Sequence, residues 1–421
     1  MHQIVILGAG YAGLATATTL AGLLRGRDGV RVTVVTASER FTERLRLHQT
    51  ATGQTTADLR IPDLLAGTGI DLITGWVTEI DPAATTVRVD SERETRTERE
   101  TRNEREIGYD TLVFALGGTA DTSAVPGVSD HAYTLDSPAT AQALARRLAE
   151  LGSGTVAVCG AGLTGIEAAA EIAERHPRLK VTLIGAREPG AGMSARARRH
   201  LDAALTRLGV RVIAGATITK VLPNTVEMDG TSNVAADVVL WTGGVLAVGL
   251  ATVFETDDTG RIVTDSSLRS VSHPEVYAVG DAAAIRQGYG VLHGTCQSGM
   301  PTGVHVANAI MRDLEGTERE GTERAGTERE GTEREGRKIA GREPERFRFG
   351  HLHTPVSLGR RDAVVQFTRP DGSAKPFALT GRVAVWYKET VSAAPWPSFQ
   401  RLLRMPVTGR FAWRRGGGYT R

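Results

Sequence analysis

Three glycines near the amino terminus have the spacing of a phosphate-binding turn. Gly8, Gly10 and Gly13 form a G-x-G-x-x-G pattern between residues 4–7, which predict a strand, and a run that predicts a helix. The first glycine permits a tight turn, the second lets a pyrophosphate approach the backbone, and the third lets the helix pack on the strand. The free amides and positive dipole end of the helix then face the phosphates. Because a second strand, 30–36, follows at βαβ spacing, the pattern predicts dinucleotide binding.

The acidic residue that would hold the ribose hydroxyls is missing from the end of that second strand. Thr36 stands there, and Glu39 is the nearest carboxylate. Glu39 is therefore predicted to bind the ribose, and the alternative is a solvated loop carboxylate. For the turn itself, the alternative is a glycine-rich bend that holds no ligand.

A second fingerprint begins at Gly160 and continues with Gly162 and Gly165, again between a predicted strand and a predicted helix. Residues 179–185 supply its second strand. Two dinucleotide folds in one chain imply two dinucleotides. The usual pairing is one tightly held flavin and one exchangeable nicotinamide.

Two charged residues belong to this second fold. Gly185 ends its second strand and Arg187 follows two residues later, which suits the 2′-phosphate of NADP. The alternative for Arg187 is an ordinary surface arginine. Glu167 lies on the first turn of the helix that follows the Gly160–Gly165 fingerprint. A carboxylate at this place can bind the nicotinamide amide or ribose. Its alternative role is an acid favoured by the helix dipole.

A third small-residue turn occurs in "HPEVYAVGDAAA", residues 273–284. A strand delivers Gly280 and Asp281 to a helix start. Small side chains allow close approach to a ligand, and Asp281 can accept a hydrogen bond from a sugar hydroxyl.

Together these motifs resemble the two-dinucleotide flavoprotein reductases of the pyridine nucleotide–disulfide oxidoreductase superfamily, and most closely the type II NADH dehydrogenases. The resemblance extends over "HQTATG" (48–53), "YDTLVFALGG" (109–118), "VPGV" (125–128), "ADVVLWTGG" (236–244) and "TCQSGMPTGVHVANAI" (295–310). It implies that Asp281 bonds the ribityl chain of FAD, that Gly117 and Gly243 border the cofactors, and that the helix at 295–310 lies under the isoalloxazine.

The cysteine content argues against the disulfide reductases of this superfamily. Disulfide reductases need a cysteine pair beside the flavin, whereas only Cys159 and Cys296 occur here, far apart. Both are expected to pack as small apolar side chains. Type II dehydrogenases carry a glutamine pair near the quinone; Gln297 matches the first and Pro301 stands at the second.

The function predicted from this resemblance is an FAD-dependent NAD(P)H dehydrogenase that passes electrons to a quinone or another small acceptor. One alternative is an NADPH-dependent reductase for a redox protein or a biosynthetic pathway. Another is a flavin-binding interaction protein that senses redox state with little turnover. No cysteine pair and no metal is required by any of these.

Length and composition agree with a multidomain enzyme. The 421 residues, 41% of them hydrophobic, suggest two or three domains, and the formal charge of +2 provides no nucleic-acid footprint. No run of 18 apolar residues predicts a spanning helix. The predicted location is cytoplasmic, with a peripheral position on the cytoplasmic membrane face left open.

The predicted fold class is α/β, with two Rossmann-like domains and a small C-terminal α+β domain. The FAD domain is assigned to 1–118 and 246–314, the NAD(P) domain to 119–245, and the last domain to 345–421. The last domain is expected to contribute strands at 363–367 and 381–389. Its tail would lie on a membrane surface or dock on the protein, and a homodimer is left open.

Two charged runs interrupt this organisation. One is "SERETRTERETRNERE" at 91–106; the other contains four copies of a five-residue G-T-E-R-[EA] unit at 316–335. Both lack an apolar face, and the second has a glycine at every fifth position, which opposes a helix. We therefore predict disordered inserts at 91–106 and at 315–344.

Overall fold

The computed structural model describes residues 1–91, 104–230, 232–292, 294–327 and 345–406, with the backbone alone for Cys296 and 317–327. The strands are β1 (His2–Leu7), β2 (Val30–Thr36), β3 (Asp71–Thr74), β4 (Trp76–Asp81), β5 (Thr86–Asp90), β6 (Glu104–Gly108), β7 (Thr111–Phe114), β8 (Gly118–Ala120), β9 (Gly154–Cys159), β10 (Leu179–Gly185), β11 (Arg211–Ala214), β12 (Thr217–Leu222), β13 (Thr225–Asp229), β14 (Val234–Ala235), β15 (Val238–Trp241), β16 (Val245–Ala247), β17 (Ile262–Val263), β18 (Val276–Ala278), β19 (Ala283–Ala284), β20 (Arg286–Gln287), β21 (Gly290–Val291), β22 (His353–Ser357), β23 (Ala363–Thr368) and β24 (Ala374–Thr380). The helices are α1 (Tyr11–Leu23), α2 (Leu47–Thr50), α3 (Ile61–Leu65), α4 (Val128–His131), α5 (Pro138–Leu151), α6 (Leu163–Arg175), α7 (Ala195–Arg207), α8 (Cys296–Thr327), α9 (Gly381–Ala393) and α10 (Pro395–Arg404).

The first fingerprint belongs to a five-stranded parallel sheet with the order β18-β7-β1-β2-β3. The last four residues of β1, Ile-Val-Ile-Leu, are fully buried, as expected of a strand covered on both faces. Helices α1 and α8 pack together so closely that a Cβ on Gly303 would lie 2.2 Å from the Ala12 carbonyl oxygen. This contact holds the first turn of α1 directly against α8.

The second fingerprint belongs to a four-stranded parallel sheet with the order β11-β10-β9-β15. The inner strand β9 is buried along Val-Ala-Val-Cys, and α5, α6 and α7 contribute leucine, isoleucine and alanine side chains to the same core. The two parallel sheets therefore repeat one architecture, and each begins with a strand, a glycine turn and a helix.

The C-terminal region contains the antiparallel sheet β22-β23-β24, covered by α9. The prediction of a strand at 381–389 is wrong, because those residues form the first turns of α9. Its buried side chains are Ala384, Lys388 and Ser392, at intervals of four residues. That is a helical period, which the run of valine and aromatic residues between them obscured in the sequence.

The tail docks on the protein as far as the structure describes it. Phe399 of α10 is fully buried and stacks edge-on against Phe41 with ring centroids 5.6 Å apart. A Cβ on Gly22 of α1 would lie 2.7 Å from the Leu402 carbonyl oxygen, so α10 lies directly against α1. Residues 407–421 lie outside the described part.

Both charged runs contain residues that belong to regular elements, contrary to the predicted disorder. Strand β6 begins at Glu104 and pairs with β5, so 104–106 are not part of a disordered loop. Helix α8 continues to Thr327, through two copies of the repeat. Glutamate and arginine are good helix formers, and an already formed helix extends without a new nucleation cost, which offsets the glycines. The predicted disorder of 92–103 and 328–344 falls outside the described residues.

Candidate functional site

The two fingerprint turns have the same backbone geometry. Gly8 and Gly160 adopt φ values of +98° and +117°, in a region that favours glycine. A Cβ on Gly13 would lie 1.9 Å from the Gly8 oxygen, and one on Gly165 would lie 1.8 Å from the Gly160 oxygen. Backbone conformation and steric contacts within the protein therefore require glycine at these four positions.

The middle glycines are different. Gly10 and Gly162 are the N-cap residues of α1 and α6, with extended backbones that any residue can adopt. A Cβ at either position would meet no atom of the described chain within 4 Å. The space beside each N-cap is open, and the helix amides face it. Both turns thus fit a dinucleotide pyrophosphate, whose close approach would explain why each middle residue is glycine.

The carboxyl edge of the first sheet also gathers the other residues predicted for the flavin. Gly280 packs beside α1, where its Cβ would lie 3.1 Å from that of Ala12. Its amide donates to Thr302 Oγ1 at 3.0 Å, which ties the Gly280–Ala282 turn to α8. Asp281 follows it, and burial raises the pKa of its carboxyl against the opposing influence of Arg44 and Arg261.

Arg44 is a cation at this edge that the sequence analysis missed. Its Nη2 donates to the Gly118 carbonyl at 2.9 Å, and its Nη1 lies 3.7 Å from the position of a Cβ on Gly117. Gly117 has a φ of +70°, which explains the glycine. Arg44 thus brings a positive charge beside Gly117 and Asp281, where a phosphate-containing cofactor would benefit from it.

Helix α8 approaches the same edge with its first turn. Gln297 lies there half-buried, and Pro301 follows one turn later inside the helix. Gly243 lies at the edge of the second sheet, where its Cβ would come within 3.0 Å of the Trp241 ring. Gln297 thus lies on the helix that binds the Gly280 amide through Thr302. Gly243 lies beside the second fingerprint, since a Cβ on Gly160 would be 3.0 Å from the Gly243 nitrogen.

The two residues predicted to bind ribose or phosphate are both exposed. Glu39 forms an ion pair with Arg60 at 2.7 Å, so its carboxylate already has a cationic partner. Arg187 is exposed at the loop after β10. A Cβ on Gly185 would lie 2.4 Å from the Ala161 Cβ. An acid therefore does not fit at this strand end without displacing the fingerprint turn, and that is the physical reason for its absence.

Glu167 lies in a buried polar cluster. Its Oε1 accepts hydrogen bonds from Lys388 Nζ at 2.7 Å and from the Ser357 amide at 3.0 Å. His48 Nδ1 lies 3.9 Å from its Oε2. The exposed fractions of Glu167, Lys388 and His48 are 7%, 5% and 3%. The carboxylate is thus held by the C-terminal domain, through an ion pair that sequence analysis did not find.

The charge states in this cluster follow from its burial. Burial disfavours ionisation of Glu167, but Lys388, His48 and the two hydrogen bonds together lower the pKa of its carboxyl. Burial also lowers the pKa of His48 to about 4, against the attraction of Glu167. At neutral pH the cluster therefore contains an ionised Glu167 beside a neutral His48.

Lys388 and His48 had weak signals in the sequence. Lys388 lies between Ala384 and Ser392 at intervals of four, which marks a lysine on the inner face of a helix. That signal requires the segment to be recognised as helical. His48 begins the "HQTATG" segment, and its partner could not be predicted, because Glu167 lies more than a hundred residues away.

Cys159 has no redox partner in the described part of the chain. It is fully buried in β9, and burial raises the pKa of its thiol to about 12. A thiol with this pKa is not a nucleophile at neutral pH. Cys296 starts α8, and its side chain lies outside the described residues.

Comparison with known proteins is consistent with this arrangement. The family model described as pyridine nucleotide-disulphide oxidoreductase matches residues 2–309. An NADH dehydrogenase-like protein of Mycobacterium tuberculosis is 31% identical over 342 residues, which cover 75% of this chain and 81% of the relative. A type II NADH:quinone oxidoreductase of Staphylococcus aureus is 28% identical over 423 residues, which cover 92% and 94%.

Two solved structures show the same fold at lower identity. The sulfide:quinone oxidoreductase of Aquifex aeolicus superposes with a TM-score of 0.75 at 16% identity, covering 97% of this chain and 94% of that chain. NDH2 of Plasmodium falciparum, solved with NADH, superposes with a TM-score of 0.72 at 12% identity, covering both chains completely. The predicted α/β fold class with two dinucleotide-binding folds is confirmed.

Proposed function

This chain belongs to the pyridine nucleotide-disulphide oxidoreductase family, and on that premise we propose that it is an FAD-dependent NAD(P)H dehydrogenase with a quinone as electron acceptor. The observation that carries the proposal is the pair of open N-caps at Gly10 and Gly162, one for each dinucleotide. The names of the relatives support the dehydrogenase over the redox-sensing alternative.

The chain's own residues would hold the two nucleotides at separate sheets. The first fold, 1–118 with 246–314, holds FAD through the Gly10 turn, Asp281 and Arg44. The second fold, 119–245, holds NAD(P)H through the Gly162 turn. FAD held in the first fold would supply the redox chemistry, which is to take a hydride from NAD(P)H and release electrons to the acceptor. The family's redox disulfide is not needed, and the high thiol pKa of Cys159 is consistent with that.

The acceptor is proposed from two observations. A relative of similar length is named a type II NADH:quinone oxidoreductase. Gln297 lies half-buried at the start of α8, where it would donate to a quinone carbonyl. The buried Glu167–Lys388 pair would position the inner end of α6 against this region rather than bind nicotinamide directly, because Lys388 and Ser357 already occupy Glu167 Oε1.

The test is anaerobic reduction of the purified flavoprotein by NADH and by NADPH, followed by reoxidation with ubiquinone and menaquinone analogues. We expect rapid bleaching of the flavin and recovery of its absorbance with at least one quinone. A flavin that neither nucleotide bleaches would contradict the dehydrogenase, and a reduced flavin that no quinone reoxidises would contradict the acceptor.

We predict a preference for NADPH that depends on Arg187. No acid can stand at Gly185 to repel a 2′-phosphate, and a charge-assisted bond from Arg187 would contribute roughly 1.5–3 kcal/mol. Arg187→Ala should therefore lower kcat/KM for NADPH by about tenfold to a hundredfold and leave the value for NADH nearly unchanged. Arg146→Ala, an exposed arginine on α5, is the matched control. Equal kcat/KM values for NADPH and NADH in the wild type would contradict a role of Arg187 in nucleotide preference.

We propose that the C-terminal domain binds the membrane peripherally through an exposed apolar patch, defined by Phe377, Val383 and Trp386. Their exposed fractions are 56%, 59% and 69%, and the exposed cations Lys375 and Arg382 flank them. The cations of such a surface can bind anionic lipid headgroups, and its apolar side chains can enter the boundary of the acyl chains. None of the helices in the described ranges combines the length and the apolar character that crossing a bilayer requires.

Binding to anionic vesicles tests this patch. Trp386→Ser with Val383→Ser should lower the fraction that cosediments by at least fivefold and leave turnover with water-soluble quinones unchanged. Val271→Ser, an exposed valine elsewhere, is the control. Equal sedimentation of the double variant and the wild type would refute the proposal, and loss of a dimer in the variant would assign the patch to self-association instead.

A further inference from the structure

Three glutamates form a ladder along one face of α6. Glu167, Glu171 and Glu174 are spaced by four and three residues, which places them one above the other on a helix. Their burial changes along the ladder: Glu167 is almost fully buried, Glu171 is 1% exposed, and Glu174 is half-buried. The ladder therefore runs from the protein interior to the surface.

Glu171 is the middle member, and its environment suits a neutral acid. Gln54 Nε2 donates to its Oε1, whereas its Oε2 is buried and has no hydrogen-bond partner in the described part of the chain. An ionised carboxylate left in this state would be costly, and a protonated one is not. Burial raises the pKa of Glu171 to about 7, against the opposing effects of Gln54 and Arg360.

The charged and titratable groups around Glu171 come from each element that packs on α6. Glu167 and Glu174 lie on its own helix and raise its pKa, and Arg360, after β22, lowers it. His48 of α2 and Lys388 of α9 meet Glu167 one turn away. Lys388 pairs with Glu167, and the Arg360 guanidinium pairs with Glu389 of α9 at 2.9 Å. No cation of the described residues forms an ion pair with Glu171.

The outer end of the ladder opens to solvent. Glu174 lines a surface cavity of about 440 Å³ between α7 and the C-terminal sheet, together with His200, Asp362 and Arg382. Its Oε2 accepts the Arg360 amide at 2.6 Å, and a Cβ on Gly359 would lie 2.7 Å from its carboxyl carbon. A close glycine and a backbone donor therefore fix the Glu174 carboxylate at the wall of this cavity.

The inner end of the ladder lies on the first turns of α6, the helix that begins at the second fingerprint turn. Glu167 lies on the first turns of α6, behind the open N-cap at Gly162. His48 beside it opens the segment that leads to Gln54, so one short stretch of chain contacts both inner glutamates. The ladder thus runs along α6 from the surface cavity towards the Gly162 turn.

The proposed reaction requires a path of this kind. Oxidation of NAD(P)H releases two electrons and one proton, and reduction of a quinone to a quinol takes up two electrons and two protons. One proton must therefore come from solvent in each turnover. Resting on the proposed function, we propose that Glu174, Glu171 and Glu167 relay this proton from the surface cavity to the acceptor. Glu171 acts through Glu167 and is a relay residue that does not touch the substrate.

Glu171→Gln tests the relay with two acceptors. Glutamine keeps the size of the side chain and an oxygen for Gln54, but it cannot release a proton. We expect quinone turnover to fall at least tenfold, and both anaerobic flavin reduction and ferricyanide turnover to stay unchanged, because ferricyanide takes electrons without protons. In the wild type, quinone turnover should fall as pH rises through about 7, and this step should be missing in the variant. Glu150→Gln, an exposed glutamate on α5, is the control.

Infrared spectroscopy provides a readout that does not depend on turnover. The wild type should show a protonated carboxyl band at pH 6 that disappears as pH rises through about 7, and Glu171→Gln should lack it. Should Glu171→Gln not fold, Glu174→Gln tests the outer end: it should keep the band and slow quinone turnover, with partial rescue by a small buffer acid such as imidazolium.

Three results would overturn the inference. Full quinone turnover in folded Glu171→Gln would exclude the relay, and an equal loss with quinone and ferricyanide would show a structural role alone. An unaffected Glu174→Gln would exclude the outer step. A wild type that reduces ferricyanide but no quinone would instead contradict the proposed function, and the relay would fall with it.

Discussion

Replacing Gly10 by valine should give a folded protein that no longer retains FAD. The backbone at Gly10 is extended, and a Cβ there meets no protein atom within 4 Å, so the chain tolerates a side chain. The valine would occupy the space that a pyrophosphate needs beside the helix amides. We expect FAD affinity to fall at least a hundredfold, about 3 kcal/mol, with the melting temperature matching that of wild-type apoprotein. Flavin absorbance and circular dichroism measure the two outcomes.

Two further glycine variants make this prediction specific. Gly13→Val should fail to fold, because its side chain would enter the Gly8 carbonyl. Gly162→Val should keep its FAD but lose reduction by NAD(P)H at least a hundredfold, because the second turn faces the other nucleotide. A yellow Gly10→Val protein with normal FAD content would refute the assignment of the first turn.

The fingerprints could be predicted from the sequence because their geometry is local. The contact that forces Gly13 reaches Gly8, five residues away, and the same spacing recurs between Gly160 and Gly165. Such a pattern is complete within one strand–turn–helix unit. The predicted α/β class followed from two such units.

The buried cluster could not be predicted, because its partners are distant in the sequence. Lys388 and Glu167 are separated by 221 residues, and the element that carries Lys388 was assigned as a strand. The Glu171 side chain accepts a hydrogen bond from Gln54, 117 residues away. Propensity and periodicity describe a single element, whereas these contacts depend on how three elements pack.

The prediction with the largest effect on stability concerns this ion pair. Lys388→Met should destabilise the protein by about 3–5 kcal/mol at pH 7, because it leaves the Glu167 carboxylate buried without its cation. Methionine fills a similar volume, so little of the loss would come from a cavity. Chemical denaturation of variant and wild type, at equal FAD saturation, measures the difference in the free energy of unfolding.

The pH dependence distinguishes a lost ion pair from lost packing. In the wild type the pKa of Glu167 is lowered, so its contribution to stability is present above its ordinary pKa and is lost as pH falls through the lowered value. In Lys388→Met, burial dominates and the pKa of Glu167 should be raised. The variant then gains stability as the carboxyl takes up a proton. The stability difference should therefore be large at pH 7 and shrink towards pH 4.

The double variant Lys388→Met, Glu167→Gln completes the cycle. It contains no buried charge, and its glutamine oxygen can still accept the Ser357 amide, which lies 3.0 Å from Glu167 Oε1. It should recover most of the stability lost in Lys388→Met, since replacing a whole buried pair is often nearly neutral. Its stability relative to the wild type should also vary less with pH than that of the single variant. If the double variant is as unstable as Lys388→Met and the loss is the same at pH 4 and pH 7, then Lys388 stabilises the domain contact by packing, and the charge on Glu167 is compensated by other groups.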